Sequence, residues 1–334
     1  MSSTSLVVGA SGFLGSHVTR LLAERGERVR ALVRPTSSLR GLAGVDAEIV
    51  HGDITDPESL RTAMAGCAVV YYCVVDARPW LRDPAPLYRT NVEALRTVLE
   101  VAAAAGPRRF VFTSSIATLP IGSTPIDEES GPHNWQRRGG DYVRSRVLAE
   151  ELVLEFARER GLPAVAMCVA NTYGPGDYLP TPHGGFVAMA ARGRLPLYVR
   201  GAGAEVVDIR DAADALVRAA ERGEPGERYI VSAGWRATRD LHDLAASCTG
   251  APPARYGVPR AVLPLAGLLG ELAALVTGKD VRVTRVSMRL MHTMTPLDHG
   301  KAVRELGWAP RPIEETVADA ARFFTRPRRQ ATPR

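Results

Sequence analysis

A tyrosine and an arginine stand four residues apart in the run DYVRSR, at Tyr142 and Arg146. On a helix this spacing places both side chains on one face, one turn apart. A nearby cation stabilises a phenolate by Coulomb attraction, so the pair could move a proton to or from a bound molecule. A guanidinium keeps its own proton at working pH and cannot relay it to solvent. The pair therefore indicates either a proton-transfer site without a relay or an ordinary helix surface.

Three glycines mark the junction between the first predicted strand and the first predicted helix, in the run VVGASGFLGSH. Glycines at this place let the backbone turn tightly and approach a pyrophosphate, whose charge the helix N-terminus stabilises. A tight turn without a ligand is the alternative, but the strand-to-helix position favours a dinucleotide. The predicted cofactor contacts here are Gly9, Ser11, Gly12, Phe13, Leu14 and Gly15.

The end of the second predicted strand distinguishes the two nicotinamide dinucleotides. An acidic residue there would bind the ribose 2′-hydroxyl of NAD, whereas this chain has Val33 followed by Arg34. Because arginine accommodates a 2′-phosphate, NADP(H) is the predicted cofactor, with a solvated loop arginine as the alternative. Asp53 and Ile54 follow the third strand, where an adenine could lie, and Val74 follows the fourth. We expect these three residues to contact the cofactor as well.

Short β-rich runs alternate with helical runs through the first half of the chain. The runs that indicate strands are SLVVGA, RVRALV, AEIVHG, AVVYYCV, RRFVFTSS and PAVAMCV. Strands that alternate with helices imply βαβ crossovers and a parallel sheet covered on both faces. The predicted fold class is therefore α/β, with a doubly wound parallel sheet.

The composition changes after the sixth predicted strand, where the Gly/Pro-rich run ANTYGPGDYLPTPHGGF begins. Loops of this length usually carry function or are disordered. The later runs VVDIRDAADALVRAAERG and ERYIVS are expected to return to the sheet. We therefore assign residues 1–169 and 204–232 to a nucleotide-binding domain, residues 170–203 and 233–325 to a substrate-binding part, and residues 326–334 to a flexible tail.

Composition argues against several classes of function. The 334 residues carry a formal net charge of +6, but the arginines are scattered without an aromatic-basic pattern, so we expect no nucleic-acid partner. The four cysteines lack metal-ligand spacing, and no metal is predicted. The N-terminus runs directly into an apolar strand and leaves no room for a signal peptide, so a cytoplasmic protein is expected.

One later segment, AVLPLAGLLGELAALVTG, is strongly apolar. Pro264 and Glu271 interrupt it, and it is short for a membrane span. We predict a buried or partner-facing helix here and no membrane span.

These features together resemble the extended short-chain dehydrogenase/reductase family, in the epimerase/dehydratase group that includes dihydroflavonol reductase-like enzymes and hopanoid-associated sugar epimerases. The motifs that carry the resemblance are GASGFLG, ALVRPTS, HGDITD, YRTNVEAL, FVFTSSIAT, YVRSR, YGPGD and ERYIVS. They occur in order over nearly the whole chain. The resemblance implies a Rossmann NADP(H) domain and a smaller, mostly helical C-terminal substrate domain, with hydride transfer in the cleft between them.

The resemblance also implies individual roles. Ser115 corresponds to the hydroxyl that holds the substrate oxygen, Tyr142 to the proton donor or acceptor, and Asn91 to the asparagine in the helix before the catalytic strand. Arg146 stands where the family has a lysine that holds the nicotinamide ribose and passes protons to solvent. Val169 stands where a proline is common beside the nicotinamide. The last two residues depart from the standard active site.

Aromatic residues fall in the two loops expected around the cleft. The predicted substrate contacts are Trp80, Tyr173, Tyr178 and His183. An aromatic, Pro-rich rim suits a bulky, largely apolar ketone such as a polyketide, terpenoid or flavonoid-like molecule. The alternative for His183 is an ordinary surface histidine, and the alternative for Trp80 is a side chain that only packs a loop covering the substrate. Ala204 stands where nucleotide-sugar members usually have an arginine, which argues against such a substrate unless a neighbouring arginine substitutes.

The predicted function is an NADPH-dependent ketoreductase that acts on a small-molecule carbonyl as a monomer or homodimer. Three interpretations of the Tyr142–Arg146 pair stay open: a working but slower site, a reductase whose proton comes from substrate or water, and a protein without turnover. For the whole chain the alternatives are a sugar epimerase or dehydratase with bound NAD(P) and a non-catalytic NADP-sensing protein that signals through a partner.

Overall fold

Strands and helices alternate along the chain in the computed structural model, which describes residues 4–123, 125–293 and 295–326. Residues 327–334 of the predicted tail lie outside the described residues. The strands are β1 Thr4–Val8, β2 Arg28–Val33, β3 Glu48–His51, β4 Cys67–Tyr72, β5 Arg109–Ser115, β6 Ala164–Val169, β7 Asn171–Tyr173, β8 Leu197–Val199, β9 Gly203–Asp208, β10 Arg228–Val231, β11 Gly234–Ala237 and β12 Tyr256–Val258. The α-helices are α1 Phe13–Glu24, α2 Pro57–Met64, α3 Ala85–Tyr88, α4 Ala94–Ala105, α5 Gln136–Arg160, α6 Pro182–Ala191, α7 Ile209–Arg222, α8 Thr238–Ser247, α9 Leu263–Thr277, α10 Arg285–Leu290, α11 Gly300–Leu306 and α12 Ile313–Thr325.

The central sheet has seven strands in the order β10-β6-β5-β4-β1-β2-β3. Every neighbouring pair in it is parallel. The chain winds outward from β1 to β3 and then returns to build the other half from β4 onward, so the order reverses between β1 and β4. Ligands of such sheets bind at this reversal, outside the carboxyl ends of the strands. The predicted doubly wound α/β fold is confirmed.

Both faces of the central sheet are covered, as the apolar strands require. In β1, Val7 packs into a core with α1 and α7, whereas Leu6 and Val8 pack into a second core with α2, α4 and α5. All three side chains are completely buried. The period-two alternation of β1 thus divides its side chains between two helical layers.

A second, three-stranded sheet has the order β11-β9-β7. The expected return of residues 204–232 to the central sheet is wrong for β9, which pairs with β7 and β11 instead. The prediction holds for β10, which pairs with β6, and α7 packs against the sheet and α1. All six residues of β9 are buried, and a continuous buried run does not show which sheet a strand will join.

The predicted long loop after β6 contains regular structure. It includes β7, and α6 begins at Pro182 inside it. Thr181 caps this helix, because its Oγ1 accepts a hydrogen bond from the Gly184 amide at 3.0 Å. The helices α6, α8 and α12 pack together over the second sheet and form the core of the C-terminal part.

Helix α9 lies on the outside of the molecule and packs on α10, which in turn packs on α5. Among the described residues, Arg260–Thr277 is the stretch long and apolar enough to cross a membrane by length and composition, and 17% of it is buried. The prediction of a buried helix is therefore wrong, and the partner-facing alternative stays open.

Candidate active site

The glycine turn after β1 is packed too tightly for larger residues. Gly9 has a φ of +82°, a conformation that favours glycine. A Cβ on Gly9 would lie 2.7 Å from Cγ2 of Val74, and a Cβ on Gly15 would collide with the carbonyl oxygen of Gly9. The start of α1, the turn and the segment Cys73–Val74 after β4 therefore meet at one point, at the reversal of the sheet order.

Helix α1 begins at this turn with an open N-terminus. Gly12 is its N-cap, and within the described chain neither a capping side chain nor an acidic residue occupies its first turn. The amides at the start of a helix lack partners inside the helix, and the helix dipole adds positive potential there. The turn that contains Ser11, Phe13 and Leu14 thus fits the pyrophosphate of a dinucleotide.

The residues predicted to hold the adenosine lie at the ends of β2 and β3. Arg34 is exposed directly after β2, and its guanidinium makes no ion pair or hydrogen bond with the described residues. The carboxylate of Asp53 accepts hydrogen bonds from the amide and hydroxyl of Thr55, at 2.9 and 2.7 Å. These hydrogen bonds, with a smaller contribution from Arg34, lower the pKa of Asp53. Ile54 is half-buried and packs against the same core cluster as Val74.

The YGPGD motif closes against α1. His17 of α1 lies 2.9 Å from the carbonyl oxygen of Pro175, and Gly176 has a φ of +92°. A Cβ on Gly176 would lie 2.9 Å from Nε2 of the same histidine. The motif therefore connects the loop after β7 to the helix that begins at the cofactor turn.

Tyr178 follows this motif. It contacts Arg40, in the loop after β2, and does not lie beside Trp80. Its ring lies 4.4 Å from the guanidinium carbon of Arg40 and packs edge-on against Phe323 of α12. Arg40 begins a 3₁₀ turn after β2 whose Gly41 lies against Ser16 of α1. Sequence reasoning missed Arg40, although it stands six residues after Arg34 in the same loop.

Trp80 lies at a different place, beneath the end of α9. Its ring lies 5.4 Å from the guanidinium carbon of Arg282. It lines an open groove together with Ala274 and Leu275 of α9. The predicted aromatic rim is therefore divided between two regions of the molecule.

Of the other two predicted substrate residues, Tyr173 belongs to the core of the C-terminal part and His183 is half-buried beside it. Tyr173 is 5% exposed, and its ring centroid lies 6.2 Å from that of His183 in the first turn of α6. Burial raises the pKa of Tyr173 and lowers the pKa of His183 to about 4. Tyr173 is thus a core residue, whereas His183 remains partly exposed.

Ser115 and Val169 lie side by side at the carboxyl ends of β5 and β6, where they are register partners. The Ser115 hydroxyl oxygen accepts a hydrogen bond from the Ala117 amide at 3.2 Å. Its own proton remains free to be donated to a substrate oxygen. The structure thus places the predicted serine at the edge of the sheet where ligands of this fold bind.

Asn91 has all of its polar atoms engaged inside the protein. It lies in a π-helical turn, Arg89–Glu93, and is 1% exposed. Its Oδ1 accepts from the Asp76 amide at 2.8 Å, and its Nδ2 donates to the Asp76 carbonyl at 3.0 Å and to Ser145 Oγ at 3.1 Å. The side chain therefore joins the segment after β4 to α5, beside Arg146. These internal hydrogen bonds favour a positioning role over direct contact with a substrate.

A glycine breaks α5 just before the tyrosine. Gly140 has φ +71° and ψ −170°, which interrupts the helix. Asp141 accepts a hydrogen bond from Tyr88 at 2.8 Å, which holds the restarted helix against the end of α3. Tyr142 follows and is half-buried on the face that carries Arg146.

Arg146 is 1% exposed, which is unusual for a cation. Its Nη2 donates to the carbonyl oxygen of Thr113 at 2.6 Å, and its guanidinium carbon lies 5.2 Å from the Phe112 ring centroid. Burial lowers the pKa of Arg146, against an opposing effect of Tyr142 and Tyr72. Tyr142 and Arg146 share one face of α5, one turn apart, as the sequence predicts.

Two nitrogens of Arg146 have no partner. Nε and Nη1 are buried and lack an acceptor among the described residues, and the hydroxyl of Tyr72 at the end of β4 is in the same situation. A buried donor without a partner costs free energy that a bound acceptor would recover. These donors lie at the ends of the central strands and fit the hydroxyls of a ribose.

A buried carboxylate lies one turn beyond Arg146. Glu150 is 4% exposed and accepts hydrogen bonds from Ser114, from Thr118 at 2.9 Å and from Cys168 at 3.3 Å. Arg228 of β10 lies 3.5 Å from its other oxygen. Sequence reasoning missed this cluster, although Glu150 continues the four-residue spacing of Tyr142 and Arg146.

No group of His, Cys, Asp and Glu residues within the described residues could hold a metal ion. The candidate site is therefore built from a glycine turn, hydroxyl groups and one buried guanidinium.

Comparison with known proteins gives the following similarities. A family model described as the NAD dependent epimerase/dehydratase family matches residues 5–232. The protein named putative dihydroflavonol 4-reductase of Synechocystis sp. is 31% identical over 330 residues, which cover 97% of this chain and 95% of that protein. Sterol demethylase protein B of Methylococcus capsulatus is 30% identical over 324 residues, covering 96% and 98%. The crystal structure of gox2253 is 35% identical, with a TM-score of 0.84 and coverage of 97% and 98%.

Proposed function

The chain belongs to the NAD-dependent epimerase/dehydratase family and is an NAD(P)-dependent oxidoreductase of the extended short-chain dehydrogenase/reductase type. From this premise we propose that it is an NADPH-dependent ketoreductase that acts on a bulky, largely apolar small molecule. The observation that carries the proposal is the buried guanidinium of Arg146, with two donors unpaired beside Tyr142.

The described residues fit a dinucleotide along the carboxyl edge of the central sheet. The glycine turn and the open N-terminus of α1 would hold the pyrophosphate. The exposed guanidinium of Arg34 would bind a 2′-phosphate, which favours NADP(H) over NAD(H). Nε and Nη1 of Arg146 would donate to the nicotinamide ribose. A bound reduced nicotinamide supplies a hydride for transfer to the substrate carbon.

The proton for the carbonyl oxygen comes from Tyr142 in this proposal. Ser115 donates a hydrogen bond to the same oxygen and so orients the carbonyl. Arg146 lies near the tyrosine, so its charge stabilises the phenolate that forms when the proton leaves. The guanidinium cannot then return a proton to the tyrosine, so reprotonation must come from water or another group. We therefore expect a working but slow site.

The substrate class follows from the groove and from the relatives. Trp80, Ala274 and Leu275 give the groove near α9 an apolar wall. One relative is named for a flavonoid ketone and another for a sterol, and both are bulky apolar ring systems. Ala204 is 7% exposed in β9, and Arg192 donates to the carbonyl oxygen of Phe324 at 2.6 Å. That arginine is therefore committed to a structural contact and is a poor substitute for the sugar-diphosphate arginine.

The test is a screen of bulky ketones with the purified protein, in which NADPH oxidation is followed by the loss of its absorbance. We expect turnover with at least one polycyclic or flavonoid-like ketone and little or none with NADH. A sugar epimerase would be favoured instead by two results together. The purified protein would still carry a bound nicotinamide dinucleotide, and it would give no net oxidation of NADPH. A protein that binds NADPH but reduces none of the ketones would favour the NADP-sensing alternative.

A further inference from the structure

Helix α9 presents its large apolar side chains to solvent. Leucines and a valine recur along one face at the spacing of a helical stripe. Their exposed fractions are 57% for Leu265, 59% for Leu269, 48% for Leu272, 65% for Leu275 and 88% for Val276. An exposed apolar patch of this extent marks an interaction surface. We call these five residues, with Leu268, the leucine face.

The opposite face of α9 carries small residues and is the one packed on the protein. Ala274 is 3% exposed, and a Cβ on Gly267 would lie 2.6 Å from the Arg285 Cα. A Cβ on Gly270 would collide with the carbonyl oxygen of Val283. Because no side chain fits at Gly267 or Gly270, the helix cannot rotate to bury its leucines. The outward orientation of the leucine face is therefore built into the packing.

The leucine face is free of charge, and its surroundings are basic. Between residues 255 and 289 the chain has six arginines and lysines and two acidic residues, which gives this segment +4 of the net charge of +6. Glu271 is turned inward and accepts from the amide and Nε of Arg285, at 2.9 and 2.8 Å. Arg260 precedes the helix, and Lys279 and Arg282 follow it, all of them exposed.

We propose that the leucine face of α9 docks into the surface of an anionic phospholipid bilayer. An apolar helix face bordered by cations is the arrangement of helices that lie in the plane of a membrane, with the leucines among the acyl chains and the cations at the lipid phosphates. At 15 residues, α9 is about 22 Å long, which is shorter than the ~30 Å hydrocarbon core. It therefore lies on the membrane and does not span it.

Charge favours a lipid surface over a second copy of the chain. Pairing of two leucine faces about a two-fold axis would bring together two segments of +4 each, which repel one another. An anionic bilayer instead attracts the same segment. The groove that Trp80 lines opens beside Leu275, so docking would bring that groove to the membrane surface.

The experiment measures binding of the full chain to vesicles by co-sedimentation. Vesicles of phosphatidylcholine alone are compared with vesicles that also contain phosphatidylglycerol. We expect binding to the anionic vesicles, weaker binding to the neutral ones, and a decrease at high salt, because screening removes the attraction of exposed charges. The inference would be overturned by an absence of binding, or by equal binding to both vesicle types at every salt concentration.

A matched pair of variants tests whether α9 is the docking element. Leu268 on α9 and Leu148 on α5 are 39% and 40% exposed, and each is changed to Glu, so both variants gain the same charge. Leu268→Glu should weaken binding about tenfold or more, since it places a carboxylate where an apolar side chain enters lipid. Leu148→Glu should change it less than about threefold by charge alone. Equal losses in the two variants would overturn the assignment to α9.

Two further measurements keep the test decisive if Leu268→Glu fails to fold, as thermal melting would show. Lys279→Gln removes one exposed charge and should weaken binding to anionic vesicles about fivefold, without reaching the packed face. Light scattering detects the other occupant of the leucine face. A dimer of the unmodified protein that Leu272→Gln weakens, in a protein that binds no vesicles, would assign the face to a second copy and overturn the inference.

Discussion

Arg146 and the leucine face of α9 depart from the usual distribution of side chains in opposite directions. Arg146 is a cation with 1% exposure and two unpaired nitrogens, whereas Leu269 is an apolar side chain with 59% exposure. Buried unpaired charges and large exposed apolar patches both cost free energy in an isolated soluble chain. Each cost is recovered if a molecule outside the chain completes the surface, a dinucleotide for Arg146 and a lipid bilayer for α9.

The two regions differ in how firmly the fold holds them. Arg146 is enclosed by strands of the central sheet, with Thr113 and Phe112 on β5 and Tyr72 on β4. Helix α9 packs through one narrow face onto α10 and the segment before it. Substitutions near Arg146 should therefore change cofactor binding and chemistry, whereas substitutions on the leucine face should change association and leave the fold intact.

The largest effect is expected from Tyr142→Phe. Turnover should fall about 10²–10⁴-fold with NADPH affinity nearly unchanged, because the ring remains and only the transferable proton is lost. Steady-state kinetics with a ketone found by screening would measure this, with Tyr256→Phe on exposed β12 as the control. Near-normal turnover would show that the proton reaches the carbonyl oxygen from the substrate or from water.

Arg146→Met tests whether the buried cation serves a ligand or the fold. NADPH affinity should fall about 10- to 100-fold, as charged hydrogen bonds are lost. The melting temperature should stay the same or rise, because removal of a buried cation with unpaired donors offsets the loss of its one bond. Fluorescence titration and thermal melting measure the two quantities. A lower melting temperature with unchanged affinity would give Arg146 a purely structural role.

The lysine variant at the same position separates charge from shape. Arg146→Lys keeps a cation near Tyr142 and adds a group able to release a proton, so turnover should be preserved or raised. If the guanidinium is specialised for the ribose, the same variant should bind NADPH more weakly, since one ammonium cannot reproduce contacts made by two separate nitrogens.

The cofactor preference depends on an exposed arginine, so its effect should be smaller. NADPH should bind more tightly than NADH, and Arg34→Ala should remove about tenfold of the preference, because a guanidinium–phosphate contact is charge-assisted. Arg28 is exposed at the other end of β2, and Arg28→Ala should leave the preference unchanged. Equal affinities of the unmodified protein for the two cofactors would contradict the assignment.

Acid should act on His183 rather than on Arg146, because Arg146 is protonated at every working pH whereas His183 gains its proton only as the pH falls. Burial lowers the pKa of His183 to about 4, from 6.5. The folded pKa lies below the unfolded one, so this contribution to stability is fully present above pH ~6.5 and is lost as the pH falls toward ~4. The unfolding free energy should decrease by up to about 3 kcal/mol over this range, since each unit of pKa shift corresponds to ~1.4 kcal/mol. His183→Gln should flatten part of the slope in thermal melts, and an unchanged slope would exclude this origin.

The smallest effect is expected on the leucine face. Leu272→Gln should change the unfolding free energy by no more than about 0.5 kcal/mol, because the side chain already faces water in the free protein. Leu152 on α5 is 4% exposed, and Leu152→Ala should cost about 2–5 kcal/mol. Denaturant unfolding measures both. A comparable loss at Leu272 would show that the leucine face is packed within the protein in solution.

Most of the correct predictions from the sequence rest on patterns among residues that are close together in the chain. The glycine spacing after β1 and the alternation of strands and helices identify the fold, because each depends on residues close together in the chain. The four-residue spacing of Tyr142 and Arg146 likewise predicts their proximity, since one helical turn places them on one face. The family follows from these motifs taken in order.

Tertiary packing alone decided the rest. The position of Asn91 in the sequence predicts a catalytic residue. Its hydrogen bonds are made with Asp76 and Ser145, which lie far from it in the sequence, so only the folded chain shows them. Glu150 is an ordinary helix residue until Ser114, Thr118 and Cys168 meet it in the core.

Tertiary packing also decided the orientation of α9 and the sheet that β9 joins. A run of apolar residues predicts burial, yet α9 turns its leucines outward because the segment beneath it leaves no room for a side chain at Gly267 or Gly270. A continuous apolar strand does not choose between two sheets, and β9 joined the smaller one. Burial, orientation and unpaired donors depend on which distant segments come together, so the sequence determined the elements and their chemistry, and the tertiary structure determined what each side chain faces.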